Sequence, residues 1–208
     1  ITIVVIVIIF SQYFSKKKTV LRALNKIKAT EISKCRQNDY VKLNGKAISG
    51  NKLLISPFSK RSCISYYAEV QKQVKNGWHT IAKEERFQDF FLEQNNNERA
   101  IIKPGRIHYK FKMSFLEIDH EDNSGFGNDA KPHLEDFLRK HGEESETLLG
   151  FNKTLRYREG IIELNESITV KGIAKWKVIN DIETNYNSSK ILLLTGDEKQ
   201  KLIITDLS

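Results

Sequence analysis

The chain begins "ITIVVIVIIFSQYF", an almost unbroken apolar run ending in two aromatics, and then turns abruptly polar at Lys16-Lys17-Lys18. A bilayer span needs ~20 apolar residues, so the run is short by itself. Three readings compete: the end of a transmembrane helix, a buried strand, or the apolar region of a signal peptide. No small-residue cleavage site follows, which disfavours the signal peptide. Apolar run, interfacial aromatics and basic anchor come in the order of a membrane-helix end, so residues 1–14 read as a partial transmembrane helix. Residues 15–38 follow as a basic juxtamembrane stretch. Within it Val20, Leu21, Leu24, Ile27 and Ile32 recur at three- and four-residue spacings, predicting an amphipathic helix over 19–36 with a basic outer face.

From residue 40 the period changes from helical to two. "YVKLNGKAIS" alternates around Asn44-Gly45, a hairpin or bulge signal. "KLLIS" is a short strand stopped at Pro57, and "SCISYYAEVQKQV" alternates through to a turn at Asn76-Gly77, from which "WHTIAKEE" returns. "RFQDFFLEQ" and "ERAIIKPG" predict a hairpin, and "RIHYKFKMSF" a half-buried strand. Residues 119–131 are acidic and glycine-containing, predicting a loop. "PHLEDFLRKHG" carries Pro132 at its start, Leu134, Phe137 and Leu138 on one face, and a closing Gly142, which predicts a short helix. Two strands follow in "TLRYREGIIELNESITVKGIAKWKVI", then a loop at "NDIETNYNSS", and a closing hairpin of "KILLLTG" with "KLIITDLS" around Gly196-Asp197. Many short strands with few helices give the expected fold class. It is mainly β (α+β), a small barrel-like domain over 39–208 with one short helix, preceded by a membrane helix and a basic amphipathic helix.

Composition sharpens this picture at two points. Net charge is +8 with a sequence pI near 9.3. Lys16, Lys17, Lys18, Arg22, Lys26, Lys28, Lys34 and Arg36 crowd the stretch after the apolar run, so the positive-inside tendency places the soluble part on the cytoplasmic side of a single or double span. Lys16, Lys17, Lys18, Arg22 and Lys26 are the expected membrane contacts, each cation near an anionic surface contributing ~1 kcal/mol. These cations abut the apolar run and lack interleaved stacking aromatics, so no nucleic acid is expected. Two cysteines, Cys35 and Cys63, cannot supply a four-ligand zinc site and are read as free thiols.

Candidate chemistry is sparse. Cys63 follows Lys60 and Arg61, but it lies in a strand pattern where cysteine acts as a small hydrophobe. Ser56 and Ser59 lack the G-x-S-x-G elbow and read as turn formers. His120-Glu121-Asp122 has no second ligand pair, His133 and His141 read as surface residues, and "GFGND" at 125–129 opens no dinucleotide-binding helix. No catalytic set, metal or cofactor is expected. Tyr66, Tyr67, Trp78, Phe87, Phe90, Phe91, Tyr109, Phe111 and Trp176 all fall on predicted strands, where they read mainly as core and in part as the lining of a groove.

Gly45-x-Ala47, Ser49-Gly50, Leu54, Ser56-Pro57-Phe58, Cys63 and Tyr66-Tyr67 come in order and are continued by Trp78 and "FFLEQNNNERAIIKPG". This arrangement resembles the GIDE-type domain found beside the RING of a mitochondrial E3 ubiquitin ligase and in RING-less prokaryotic membrane proteins. "REGIIELNESITVKGIA", with Glu159, Gly160, Val170 and Gly172, is similar to its C-terminal part. The resemblance covers roughly residues 40–206, with Gln94 standing where an acidic residue is common. It implies a domain between two membrane helices. It also implies that ligase activity would belong to a RING, whose zinc-ligand spacing this sequence does not contain. The expected function is therefore a membrane-anchored binding or sensing domain that is not itself an enzyme. One alternative is the substrate-recognition part of a membrane ubiquitin ligase; a second is a thiol enzyme using Cys63. Ser56, Pro57, Phe58, Lys60, Arg61, Tyr66, Tyr67 and Trp78 are the candidate ligand- or partner-binding residues, with a bilayer and an unidentified protein or small ligand as partners.

Overall fold

The computed structural model describes residues 15–50, 52–94, 97–147, 150–179 and 189–207. The apolar start at 1–14 and most of the predicted loop at 180–189 lie outside the described residues. Among those described, no helix is long and apolar enough to cross a membrane.

The chain divides into two compact units, residues 1–51, 89–115 and 165–208 in one, 52–88 and 116–164 in the other. Within the expected β-rich domain over 39–208, the second unit is built from two insertions between strands of the first.

Five strands close the first unit into a barrel. They are β1 (Tyr40–Ser49), β6 (Phe90–Glu93), β7 (Arg99–Ile102), β11 (Ser167–Ile179) and β12 (Ser189–Thr195). β1 pairs antiparallel with β6 and β6 with β7; β7 runs parallel to β12, β12 antiparallel to β11, and β11 antiparallel to β1, completing the circle. Taken in their own order, the strands connect 1-2-3-5-4-1, the Greek-key order of the OB-fold. Alternate positions fill the interior, among them Leu43, Ala47, Leu92, Ile102, Val170, Ala174, Leu192 and Leu194, all buried.

Closure depends on β1 serving two partners. Residues 40–46 pair with β11, and 46–49 pair with β6. The strand must bend at the changeover, and Gly45 sits there. A Cβ at Gly45 would lie 2.5 Å from the Glu93 carbonyl oxygen. The Asn44-Gly45 pair therefore marks a bend within one strand and not a hairpin turn, because both flanking halves have their ladder partners in other strands.

Two short strands extend the wall. β13 (Leu202–Thr205) pairs antiparallel with β11 and parallel with β8 (Lys112–Phe115). The expected closing hairpin is absent. β12 and β13 both run antiparallel to β11, along 173–179 and 169–171, so they are parallel to one another and form one strand interrupted by residues 196–201. Gly196-Asp197 starts that excursion, where the Asp197 carboxylate accepts from the Lys199 and Gln200 amides. The expected strand over 106–115 is likewise reduced to β8. Pro104 starts a 3-10 turn over Pro104–Arg106, and a second covers Tyr109–Phe111, where His108 Nδ1 accepts from the Lys110 amide. Alternation there reflects the two faces of turns, and Tyr109 is exposed.

The first described helix, α1 (Lys16–Asn25), is capped by the Ser15 side chain and is shorter than predicted. Past Asn25 the backbone turns extended: Ala29 bridges Lys42 of β1 and the Thr30 amide donates to the Lys42 carbonyl, while Ile32–Lys34 forms one 3-10 turn. Pairing with the edge of β1 thus competes successfully with helix propagation at Thr30 and Ile32, two β-branched residues. Val20 and Leu24 pack with Ile203, Met113 and Phe115, so the apolar stripe of α1 lies on the barrel unit. Burying each such side chain is worth about 1.5–3 kcal/mol. Lys171, itself buried, donates to the Ala23 carbonyl near the helix end and lies 4.7 Å over the Tyr40 ring.

The second unit is a four-stranded antiparallel sheet with a helix on one face. Its strand order is β5 (Gly77–Phe87), β4 (Ser65–Val74), β10 (Leu155–Ile162), β9 (His120–Ser124). β9 occupies the expected acidic loop. Its residues are polar because it is an edge strand exposed at alternate positions, not because it lacks a partner. The helix predicted at Pro132 is α2 (Pro132–Lys140), and Leu134, Phe137 and Leu138 pack against Tyr66, Ala68, Val70, Leu155 and Tyr157. A two-residue ladder of β2 (Leu54–Ile55) with β3 (Ser62–Cys63) precedes β4.

Candidate functional site

The loop Ser56–Arg61 connects β2 to β3 and folds around a carboxylate from β10. Glu159 is fully buried. One of its oxygens accepts from the Phe58 amide at 2.7 Å, and the other from the Ser59 amide at 3.1 Å and the Ser59 hydroxyl. Ser56 Oγ lies 2.9 Å from Ser59 Oγ and accepts from the Arg61 amide at 3.1 Å, while the Ser56 amide donates to the Arg61 carbonyl. Lys60 takes a left-handed backbone, φ 59°, to close the turn. Arg61 leads outward, its guanidinium 2.7 Å from Asp119 and 3.5 Å from Glu163. The Phe58 and Ser59 amides and the Ser59 hydroxyl therefore satisfy one buried anion, while Ser56 and Arg61 brace the turn around it. A buried carboxylate held this way lacks a free oxygen for acid–base work.

Cys63 lies beneath this turn with no exposed surface, in the same cluster as Phe58, Tyr66 and Tyr157. Its odd position does not match the even positions of Tyr66, Ala68 and Val70. Ile64, whose amide bonds to the Ile162 carbonyl and whose carbonyl accepts from Gln88, interrupts the ladder and resets the alternation. Burial, with the charge of Glu159 adding, pushes the Cys63 thiol up to about 12. Cys35 is also free and buried, pushed up to about 11 by burial and then by Asp39 and Glu98. Both are the reverse of a reactive thiol, which needs a stabilised thiolate and access.

The other candidates fall on different surfaces. Ser56, Phe58 and Tyr66 are buried, Pro57, Arg61 and Tyr67 half-buried, and Lys60 and Trp78 exposed. Tyr66 and Tyr67 point to opposite faces of β4. Tyr66 donates to Glu84 at 2.6 Å on the helix side, where Lys140 Nζ also reaches Glu84 at 2.7 Å. Burial pushes Glu84 upward, but the bonds from Lys140 and Tyr66 outweigh it and hold the carboxyl below its usual range. On the outer face Tyr67, Gln71 and Arg158 all donate to Glu69, and Arg156 bonds Gln71 while its guanidinium stacks 4.4 Å over Trp78. These groups bond to one another across the outer face of the sheet. Of the expected membrane contacts, Lys16, Lys17, Lys18 and Lys26 are exposed and Arg22 is half-buried. Among the described residues no three His, Cys, Asp or Glu side chains come together in a way that could hold a metal ion.

A recess lies in the barrel unit, where β1 changes partners. It is a cleft of about 930 Å³ lined by Glu31, Asn44, Gly45, Lys46, Glu93, Asn97 and Ser167. Gln94 frames it: its side-chain oxygen accepts from the Ile32 amide at 2.8 Å, and its NH₂ donates to the Thr30 and Asn44 carbonyls at 3.2 and 3.0 Å. Only an amide can do both, which gives a local reason for Gln94 where the resemblance favours an acid. Thr169 donates to the Asn44 side chain at 3.1 Å, and Arg99 engages Glu93 at 2.6 Å. Lys46 and Ser167 stand opposite each other in the β1–β11 register and are exposed. The cleft combines hydrogen-bond donors and acceptors with one cation and two carboxylates, a lining suited to a polar ligand and poor in apolar anchors. Sequence reading passed over it because its residues come from four separate segments, each unremarkable by itself. No family model, no curated protein and no solved structure matches this chain.

Proposed function

We propose that this chain is a non-catalytic binding domain of the GIDE type, held at a membrane by its apolar start, and that the barrel cleft is where it takes its ligand. Support comes from that cleft. It is a polar recess of about 930 Å³, lined in part by Gly45 and framed by the side-chain amide of Gln94. The loop that suggests a nucleophile instead encloses a saturated carboxylate, and the thiol next to it is buried with a raised pKa. A binding role fits these features better than a hydrolytic or thiol-transfer one. The expected ligand is polar, such as the hydrophilic part of a peptide or of a small molecule, engaged by Lys46, Asn97 and Ser167 at the rim. The bilayer is the second partner, through residues 1–14 and the exposed cations of α1.

The test places a photo-crosslinking side chain at Lys46 or Ser167 in the membrane-bound protein, with Glu163 of the other unit as control. A discrete adduct from the cleft positions and none from Glu163 is the expected result. Equal or absent crosslinking at all three positions would remove the cleft as the binding site.

A further inference from the structure

Large apolar side chains exposed to water cluster at one end of the second unit's sheet. Strand register defines that end. The β4–β5 hairpin turns between Val74 and Gly77, β10 starts at Leu155 opposite Lys72 and Ser124, and β9 ends at Ser124. The hairpin turn and two loops therefore emerge side by side: Val74 and Trp78 flank the turn, and Phe126 and Phe151 lie on the loops, the four being 44%, 40%, 99% and 65% exposed.

The described residues of these loops are held by hydrogen bonds. Gly125 and Asn128 bond reciprocally, amide to carbonyl, at 2.8 and 3.0 Å, which holds Phe126 at the tip of a tight turn. The Thr147 amide donates to the Phe151 carbonyl at 2.8 Å, and the Phe151 amide donates to Thr147 Oγ1 at 3.1 Å. Asn152 then ties the two loops together, its NH₂ donating to the Gly125 carbonyl at 3.1 Å and to Asp129 at 2.7 Å. The Gln73 amide joins the hairpin to the same assembly through the Thr154 carbonyl at 2.9 Å. This hydrogen-bonded frame presents Phe126 and Phe151 to solvent, with Trp78 beside them stacked under the Arg156 guanidinium.

Such exposure is costly in water, since removing a Phe ring from water is favourable. We infer that this end of the second unit docks into the interfacial layer of a lipid bilayer, with Phe126 and Phe151 entering the acyl boundary and Trp78 at headgroup depth. Lipid suits the arrangement better than a protein partner does. The rings project from separate tips and form no continuous face, and a fluid layer can surround projections that a complementary protein surface would need to match individually. Lys72, Lys75 and Lys153 flank the tips, the cation–aromatic combination of membrane interfaces. Asp129 and Glu146 lie on the same loops, so the contact is driven by apolar insertion and not by attraction to anionic headgroups. The inference rests on the membrane reading of residues 1–14, and the experiment separates the two.

The full chain is prepared with F126W in a W78F, W176F background, and in parallel with L164W in the same background. Leu164 is also exposed but follows the opposite end of β10. Both proteins are reconstituted in phosphatidylcholine vesicles with plain or brominated acyl chains. Co-flotation reports the membrane span; bromine quenching reports the docking. The expected result is flotation of both, with emission of the F126W protein reduced at least twofold by bromine and that of the L164W protein unchanged. It should hold equally at 50 and 500 mM salt. Flotation without quenching at 126 overturns the docking and leaves the span intact, as it would if a protein covered this end. Equal quenching at both positions overturns it as well, since no end would then be preferred. Failure to float overturns both readings.

Discussion

Glu159 has three donors aimed at two oxygens and no exposed surface, so its removal acts on groups that water cannot reach. Glu159→Gln keeps the shape but turns one acceptor into a donor facing an N–H, and should cost about 1–3 kcal/mol. Glu159→Ala leaves both amides orphaned and should cost more. Urea midpoints measured at neutral pH check both, and an unchanged Gln variant would mean that the loop does not depend on the charge. Cys63 gives a kinetic prediction at the same scale. With its thiol raised to about 12 and fully buried, it should resist iodoacetamide in native protein and react at the rate of an ordinary thiol in urea. Rapid native labelling of Cys63 would revive the thiol-enzyme reading.

Gly45 and Gln94 decide whether β1 can serve two partners. Gly45→Ala would bring a methyl within 2.5 Å of the Glu93 carbonyl, and an overpacked site of this kind costs about 1–3 kcal/mol. Gln94→Glu keeps the acceptor for the Ile32 amide but turns both donors into repulsion against the Thr30 and Asn44 carbonyls. Hydrogen exchange should accelerate at Thr30 and Ile32 in that variant and stay unchanged in α2. Unchanged protection at both amides would show that Gln94 is incidental to the rim. The elements that were legible in the sequence are those where periodicity answers to a single buried face. α2 is set by Leu134, Phe137 and Leu138, and the β6–β7 hairpin by its two short apolar runs. The failures come from competing demands. Thr30 leaves the helix to pair with β1, β9 is polar because it is an edge, and β12 and β13 look like a hairpin because each is a short apolar run flanking the Gly196-Asp197 turn signal, although both pair with β11. The site was harder still. Glu159 gives no local sign that it anchors a turn 100 residues earlier, and the cleft is assembled from segments that meet only when the barrel closes.

The whole molecule distributes its charge unevenly. The basic excess lies in the barrel unit, whereas the inserted unit is slightly acidic. Its pH dependence follows from groups held neutral by burial. Tyr40, Tyr66 and Tyr157 are pushed up to about 12, chiefly by burial, alongside Cys35 at about 11 and Cys63 at about 12. In the unfolded chain these thiols and phenols ionise near 9 and 10. Below pH 9 both states keep their protons and the stability is fully present. Between pH 9 and 12 the unfolded chain releases protons that the native state retains, so stability falls as pH rises, by about 1.4 kcal/mol per pH unit for each group involved. Glu84 and Asp122, both held below the usual carboxylate range, act in the opposite direction: their stabilisation is present at neutral pH and is lost as pH falls through their folded values. Denaturant midpoints at pH 3, 7, 9, 10 and 11 should therefore show a plateau at neutral pH and a descent on either side. A flat alkaline limb would show that the buried thiols and phenols are not protected.

The two-segment construction of the second unit also has a consequence in time. β4 needs β10 on one side, yet 90 residues separate Ser65 from Leu155 in the chain. At a synthesis rate of about 5–20 residues per second, β4 waits roughly 5–20 s for its neighbour. Through that interval the β4–β5 hairpin presents a ten-residue edge, with Tyr66, Ala68 and Val70 uncovered and the Ser56–Arg61 turn lacking its carboxylate. The period of greatest exposure to misassociation thus falls during translation, after the hairpin has left the ribosome and before residue 162 has been added.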